Sequence, residues 1–146
     1  LAFLSRQIWG LVADRIGGLR TILAGSVCQL VAMFGFLATQ SEAGLFTVSA
    51  VFGLGFSGII PAYVVAIRDL FPSAEASWRV PILLFTGMSG MAFGGWFAGV
   101  LYDDFGFYAP AFAAGAFFNL VNLAVIGSLL ARQLKLSRVA AIVPAQ

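Results

Sequence analysis

The sequence predicts an all-α membrane protein, a polytopic bundle of transmembrane helices. Of its 146 residues, 61% are hydrophobic and 10% are charged, and the mean hydropathy is +1.00. A soluble domain of this length cannot bury so much apolar surface, so the chain belongs in a lipid bilayer. Two further observations agree: the apolar residues form runs of membrane-spanning length, and the basic residues recur in alternate loops.

Uncharged runs mark the predicted spans. The runs long enough to cross about 30 Å of hydrocarbon are residues 21–39, 44–67, 80–102 and 109–131. A shorter apolar segment, residues 1–13, is predicted to be the end of one further helix. We therefore expect a transmembrane domain over residues 1–131, followed by a cytoplasmic tail over residues 132–146.

The basic residues fall on one side of this arrangement. Outside Arg6, they occupy alternate connections and the tail: Arg15, Arg20, Arg68, Arg79, Arg132, Lys135 and Arg138. In the intervening connections, residues 40–43 and 103–108, the charged residues are all acidic. Because cytoplasmic loops are enriched in Lys and Arg, the basic side is predicted to be cytoplasmic. We expect a multi-pass protein of the bacterial inner (plasma) membrane.

The composition excludes several classes of function. Eight Lys and Arg against six Asp and Glu, a net charge of +2, are too few and too scattered for a nucleic-acid surface. Cys28 is the only cysteine and histidine is absent, so the spacing of a disulfide framework or metal site is missing. The sequence contains no nucleophile paired with a base and no carboxylate pair that would support catalysis. We expect no enzyme activity, no cofactor and no metal.

Small residues recur at helical spacing in two of the spans. In lipid, glycines three or four residues apart let a neighbouring helix approach closely. A proline within a span removes a backbone hydrogen bond and bends the helix, which is tolerated where neighbouring protein or water satisfies the freed carbonyl. Static packing and a moving interface are both open readings. The predicted helix-packing residues are Gly53, Gly58, Pro61, Gly90, Gly94 and Gly99.

A short connection carries an unusual combination of charge and glycine. It reads GLVADRIGGLR from Gly10 to Arg20. Gly10 allows close approach at a helix end, Gly17 permits left-handed backbone, and Asp14 can accept hydrogen bonds from the N–H groups of a neighbouring helix N-terminus. Arg15 and Arg20 hold the connection on the cytoplasmic side. A merely charged loop would not require this spacing.

This stretch resembles the conserved cytoplasmic loop signature of the major facilitator superfamily, G-x-x-x-D-R-x-G-x-x-R. The matching positions are Gly10, Asp14, Arg15, Gly17 and Arg20. In that family the loop closes the cytoplasmic gate against a helix of the other half of the transporter. Arg68 and Asp69 could join the same gate network or could form an ordinary helix end.

Two later stretches indicate which branch of the superfamily the sequence resembles. GLGFSGIIPAYVVAIRDLFP and GMAFGGWFAGVLYDDFGFYAPAF look like the tenth and eleventh helices of the monocarboxylate and oxalate/formate antiporter-like branch. The resemblance implies the end of helix 8 through helix 12, a partial C-terminal six-helix half of a twelve-helix fold. The N-terminal half of the same protein is then missing from this chain and is an expected partner.

Arg6 is the charged residue that the loop pattern does not explain. It precedes Asp14 by eight residues, which places it about 12 Å further along a helix and inside the hydrocarbon. A charge there is costly and usually faces a cavity. The resemblance adds that monocarboxylate transporters place an arginine four residues before the signature glycine, facing the substrate carboxylate. Arg6 and Gly10 have that spacing, although snorkelling to the headgroups or pairing with an acid is the alternative.

Two departures from the family pattern bear on substrate and coupling. Ala2 stands where animal monocarboxylate transporters carry an aspartate, and residues 80–102 lack the lysine of oxalate-type transporters. Thr86 and Ser89 are further candidate substrate contacts, although hydroxyls often bond to their own helix backbone. Asn119 and Asn122 share a helix face and are expected to bond between helices.

We therefore expect a secondary active transporter of small organic anions, monocarboxylate-like, that works by alternating access. Its expected partners are the solute, H⁺ or a counter-anion, and membrane lipid. A multidrug or other solute efflux protein of the same fold is the alternative, although Arg6 would repel a cationic drug. A membrane enzyme or a structural membrane subunit comes third.

Overall fold

The computed structural model describes residues 2–142, with side-chain surroundings for residues 5–138. Within these residues the chain is helical and contains no strand. The helices are α1 Ala2–Ile16, α2 Gly18–Ala38, α3 Glu42–Ser57, α4 Ile59–Leu70, α5 Ser73–Phe105 and α6 Ala109–Ile142. The predicted fold class, an all-α bundle of transmembrane helices, is confirmed.

Within the described residues, four stretches are long and apolar enough to cross a membrane: Gly18–Ala38, Glu42–Leu70, Ser73–Phe105 and Ala109–Arg138. Each overlaps one of the four predicted runs. Helix α5 has 33 residues, about 50 Å of helix, and so extends well beyond residues 80–102. Helix α6 continues to Ile142, which makes most of the segment predicted as the tail a continuation of the last helix. Both helices extend beyond the apolar runs because charged residues are compatible with helix. The intrahelical hydrogen bonding therefore continues through them.

Helices α3 and α4 are the two parts of one span, which breaks at Gly58. Helix α3 ends at Ser57 and α4 begins at Ile59. Pro61 lies in the first turn of α4, where its ring excludes the carbonyl of Ser57 and its nitrogen offers no hydrogen. The break therefore precedes the proline by three residues, and it leaves backbone groups of α3 in need of partners.

Helix α2 lies at the centre, packed against α1, α3, α4 and α6. Small residues make these approaches close. A Cβ atom added to Gly18 would overlap the backbone of Ala62 and Ala66 in α4. Further along, Gly25 and Gly55 approach so closely that an added Cβ on either would lie 3.0 Å from the carbonyl oxygen of the other. The buried apolar core beside this contact joins α1, α2, α4 and α6 through Ala13, Leu19, Ile22, Ala62, Ala66 and Ile126.

Helix α5 is the least covered helix. It contacts α4 and α6, yet within Ser73–Phe105 only Ala76 is buried. Added Cβ atoms at Gly90, Gly94 and Gly99 would meet nothing within 4 Å, and the same holds at Gly53 in α3. Across the part of the chain that the structure describes, no helix covers these glycines, so their packing role stays a prediction. Gly58 differs, because the Trp9 ring packs directly on it.

Candidate functional site

The signature connection is a sharp junction between α1 and α2 at Gly17. Gly17 has φ +89° and ψ 157°, a backbone conformation that side chains disfavour. Its N–H still donates to the Ala13 carbonyl at 2.9 Å, and its own carbonyl accepts from the Thr21 hydroxyl at 2.9 Å. The two helices therefore join through a single residue, with both helix ends hydrogen-bonded.

An acid from a distant helix caps the start of α2. The Asp69 Oδ2 atom, at the end of α4, accepts a hydrogen bond of 3.2 Å from the Gly18 N–H. Gly17 has no side chain with which to cap the helix itself, and a carboxylate at a helix N-terminus is favoured by the helix dipole. Asp69 therefore joins the signature connection rather than forming an ordinary helix end. The sequence feature that pointed to this role of Asp69 was its position beside Arg68 at the end of a predicted span.

The charged residues of the signature point outward. Asp14, Arg15 and Arg20 are all exposed. Among the described side chains, Asp14 has neither a hydrogen bond nor an ion pair. The helix N-terminus next to it is already capped by Asp69. The expected bond from Asp14 to another helix N-terminus is therefore not made by residues 5–138, and it stays a prediction about contacts beyond them.

The helical turn around Arg6 is attached to the break between α3 and α4. The Ser5 hydroxyl donates to the Leu54 carbonyl at 2.9 Å, and the Trp9 indole N–H donates to the same carbonyl at 2.7 Å. In an unbroken helix this carbonyl would accept from the N–H of Gly58. Here the Gly58 N–H points to the Phe56 carbonyl instead. The freed Leu54 carbonyl is thus satisfied from α1, a contact that the sequence did not reveal.

Arg6 itself lies beside this anchored face. Its side chain is exposed, and helical geometry places it about 60° around the axis from Trp9. No Asp or Glu within residues 5–138 lies within ion-pair distance of it, since the ion pair described there joins Arg79 to Glu75 at 2.7 Å. The alternative in which Arg6 pairs with a structural acid therefore finds no support in the described residues.

A cavity of about 550 Å³ lies between α2, α4, α5 and α6. Its lining is mainly apolar and contains no charged side chain among the described residues. Six lining residues carry side-chain hydrogen-bonding groups: Ser26, Gln29, Tyr63, Thr86, Asn119 and Asn122. The arrangement can accommodate an uncharged group and offers it hydrogen bonds.

The two asparagines connect α6 to α2. The Asn122 side-chain amide donates to the Ser26 hydroxyl at 2.9 Å, and that of Asn119 donates to the Gln29 carbonyl oxygen at 3.2 Å. The predicted inter-helix bonding of both asparagines is confirmed. The Asn119 Oδ1 atom is buried without a described partner. The sequence did not single out Ser26 and Gln29, whose uncharged polar side chains fall within an apolar run.

The three predicted substrate contacts do not share one described pocket. Thr86 lines the cavity and donates its hydroxyl to the Ile82 carbonyl at 2.8 Å. Ser89 is exposed on α5 outside this lining, and Arg6 is exposed on α1. Across the described residues, no group of three or more His, Cys, Asp or Glu side chains is placed to hold a metal ion.

Comparison with known proteins identifies the family. The family model described as Major Facilitator Superfamily matches residues 1–141. No curated protein and no solved structure matches the chain significantly. The match covers nearly the whole sequence, including the glycine and aspartate pattern of the α1–α2 junction. The chain therefore belongs to the major facilitator superfamily, a family of multi-pass membrane transporters of small solutes.

Proposed function

We propose that the transported solute is a small organic anion of the monocarboxylate type, moved by alternating access, and that Arg6 binds its carboxylate. One observation carries the proposal: Arg6 lies about 12 Å along α1 from Asp14, without an acidic partner in the described structure. We further propose that the basic connections and the end of α6 face the cytoplasm of a bacterial cell.

The energetics of the bilayer favour an anionic solute. A guanidinium at membrane depth is costly unless it reaches water or meets a negative group. A solute carboxylate meets it with two parallel hydrogen bonds, a geometry that arginine provides and lysine does not. Thr86, which lines the uncharged cavity, is the proposed second contact, and Ser89 stays a candidate. The coupled species on this proposal is H⁺ or a counter-anion.

A second candidate function rests on the cavity alone. Its lining offers hydrogen bonds without charge, which suits an uncharged solute or drug exported by the same fold. Under this alternative Arg6 only snorkels to the headgroups, and either long basic side chain can do so.

One experiment separates the two proposals. The full-length protein is purified as wild type, Arg6→Lys and Arg6→Gln, and its affinity is measured for lactate and for lactamide, the uncharged analogue. The proposal predicts that lactate binds more tightly than lactamide, and that Arg6→Lys weakens lactate binding by about 1–3 kcal/mol. Arg6→Gln should weaken it further, because it also removes the charge. Arg132→Gln, on an exposed part of α6, is the control for a general charge effect. Equal lactate affinity in all variants would contradict the role of Arg6.

A further inference from the structure

We propose that Ser5 and Trp9 are positioning residues for Arg6. By holding the Leu54 carbonyl at the break between α3 and α4, they fix the turn of α1 that presents Arg6 to the solute. This inference rests on the proposed function, in which Arg6 binds the solute carboxylate.

One backbone oxygen holds both side chains. Leu54 accepts from Ser5 at 2.9 Å and from Trp9 at 2.7 Å. The break at Gly58 withdraws the usual intrahelical donor from this carbonyl. A carbonyl in hydrocarbon without a donor is strongly disfavoured, so both contacts are favoured wherever the break persists.

Two hydrogen-bond donors one helical turn apart restrict the orientation of α1 more than a single donor would. A single hydrogen bond leaves a pivot about which the helix can rotate, whereas bonds from residues 5 and 9 set both its rotation and its height. The Trp9 ring also packs on Gly58, where there is no side chain to push it away. Arg6 lies in the same turn, so its direction follows from these contacts.

Ser5 acts through the helix and not by touching the solute. Its exposed fraction is 2%, and its hydroxyl is already engaged with Leu54. Trp9 is partly buried with its N–H engaged in the same way. Any influence of these donors on the solute must therefore pass through the orientation of α1.

The test is a double-mutant cycle between Trp9→Phe and Arg6→Lys in the full-length protein, measured as KM and kcat for lactate uptake. Phenylalanine keeps an aromatic ring at position 9 and removes the N–H donor together with part of the indole ring. We expect Trp9→Phe alone to raise KM about threefold to tenfold, the range of one hydrogen bond, with kcat little changed. In the Arg6→Lys background the same change should raise KM by less than about twofold. The two-point geometry of the Arg6 guanidinium, which Trp9 orients, is already lost in that background.

Controls separate positioning from folding and from the proposed function. Trp96→Phe alters a tryptophan on α5 that is 63% exposed, and it should leave KM unchanged. Ser5→Ala removes the second donor, and should reproduce the cycle; it carries the test if Trp9→Phe is poorly expressed. The same rise in KM in both backgrounds, or a change in kcat alone, would overturn the positioning role. Arg6→Lys with a wild-type KM would instead refute the proposed function by itself.

Discussion

The carboxylate of Asp69 accepts a hydrogen bond of 3.2 Å from the Gly18 N–H, which joins the end of α4 to the beginning of α2 across 51 residues of sequence. The same two helix ends are in backbone contact, since an added Cβ on Gly18 would overlap Ala66. The α1–α2 connection is therefore held against the end of α4, with an acid at the point of contact.

Asp69→Asn should destabilise this junction modestly. The amide keeps the shape and an acceptor oxygen, but it loses the interaction of a negative charge with the helix N-terminus, worth about 0.3–1 kcal/mol at an exposed site. The thermal unfolding midpoint in detergent should fall, and the difference from wild type should shrink at high salt. Asp104→Asn, near the exposed end of α5, is the matched control and should not reproduce the effect. Equal midpoints for wild type and Asp69→Asn would contradict the capping role.

Gly18→Ala should be far more damaging than its size suggests. The added methyl group would overlap main-chain atoms of α4, which cannot move aside as a side chain can. We expect a loss of stability of about 1–3 kcal/mol, measured by unfolding in detergent. Gly127→Ala is the comparison, because an added Cβ at Gly127 in α6 meets nothing within 4 Å. Alanine favours helix by about 0.5–1 kcal/mol over glycine, so this control should be neutral or stabilising.

The sidedness of the chain can be measured by cysteine labelling. Ser41 and Ser73 are exposed at opposite ends of the span made by α3 and α4. Ser41→Cys and Ser73→Cys, each in a Cys28→Ser background, should react with a membrane-impermeant thiol reagent from opposite faces. We expect Ser73→Cys to react from the cytoplasmic face, because its connection carries the basic residues. Reaction of both from one face would refute the topology.

Asp14→Asn tests the predicted gate. If Asp14 caps a helix of the other half of the transporter in the outward-open state, the amide weakens that contact by roughly 1–2 kcal/mol. The conformational equilibrium of the full-length protein should then shift toward the inward-open state. Accessibility of reporter cysteines on the cytoplasmic side measures the shift, with Asp104→Asn as the control. Unchanged accessibility with normal transport would leave Asp14 as an ordinary loop residue.

The fold class and the spans follow from the sequence itself. Uncharged runs and alternating basic loops depend only on composition along the chain, because the bilayer selects helices of a given length wherever they occur. The role of Gly17 in the α1–α2 junction could also be predicted from the sequence, since the junction needs a residue that tolerates positive φ. Helix ends were less predictable: α5 and α6 continue beyond the apolar runs because their flanking charged residues are compatible with helix.

Only the tertiary structure decided which residues meet. The cap on α2 comes from Asp69 and not from its own connection, and no pattern along the chain links residues 51 apart. Ser5 and Trp9 both donate to the Leu54 carbonyl. They can do so because the break between α3 and α4 falls at Gly58 and α1 crosses the span at that break. Pro61 predicted a bend, but not which backbone group would be freed or what would satisfy it. Local chemistry determines helices and turns, whereas the crossing of helices determines contacts, and that crossing depends on the packing of the whole bundle.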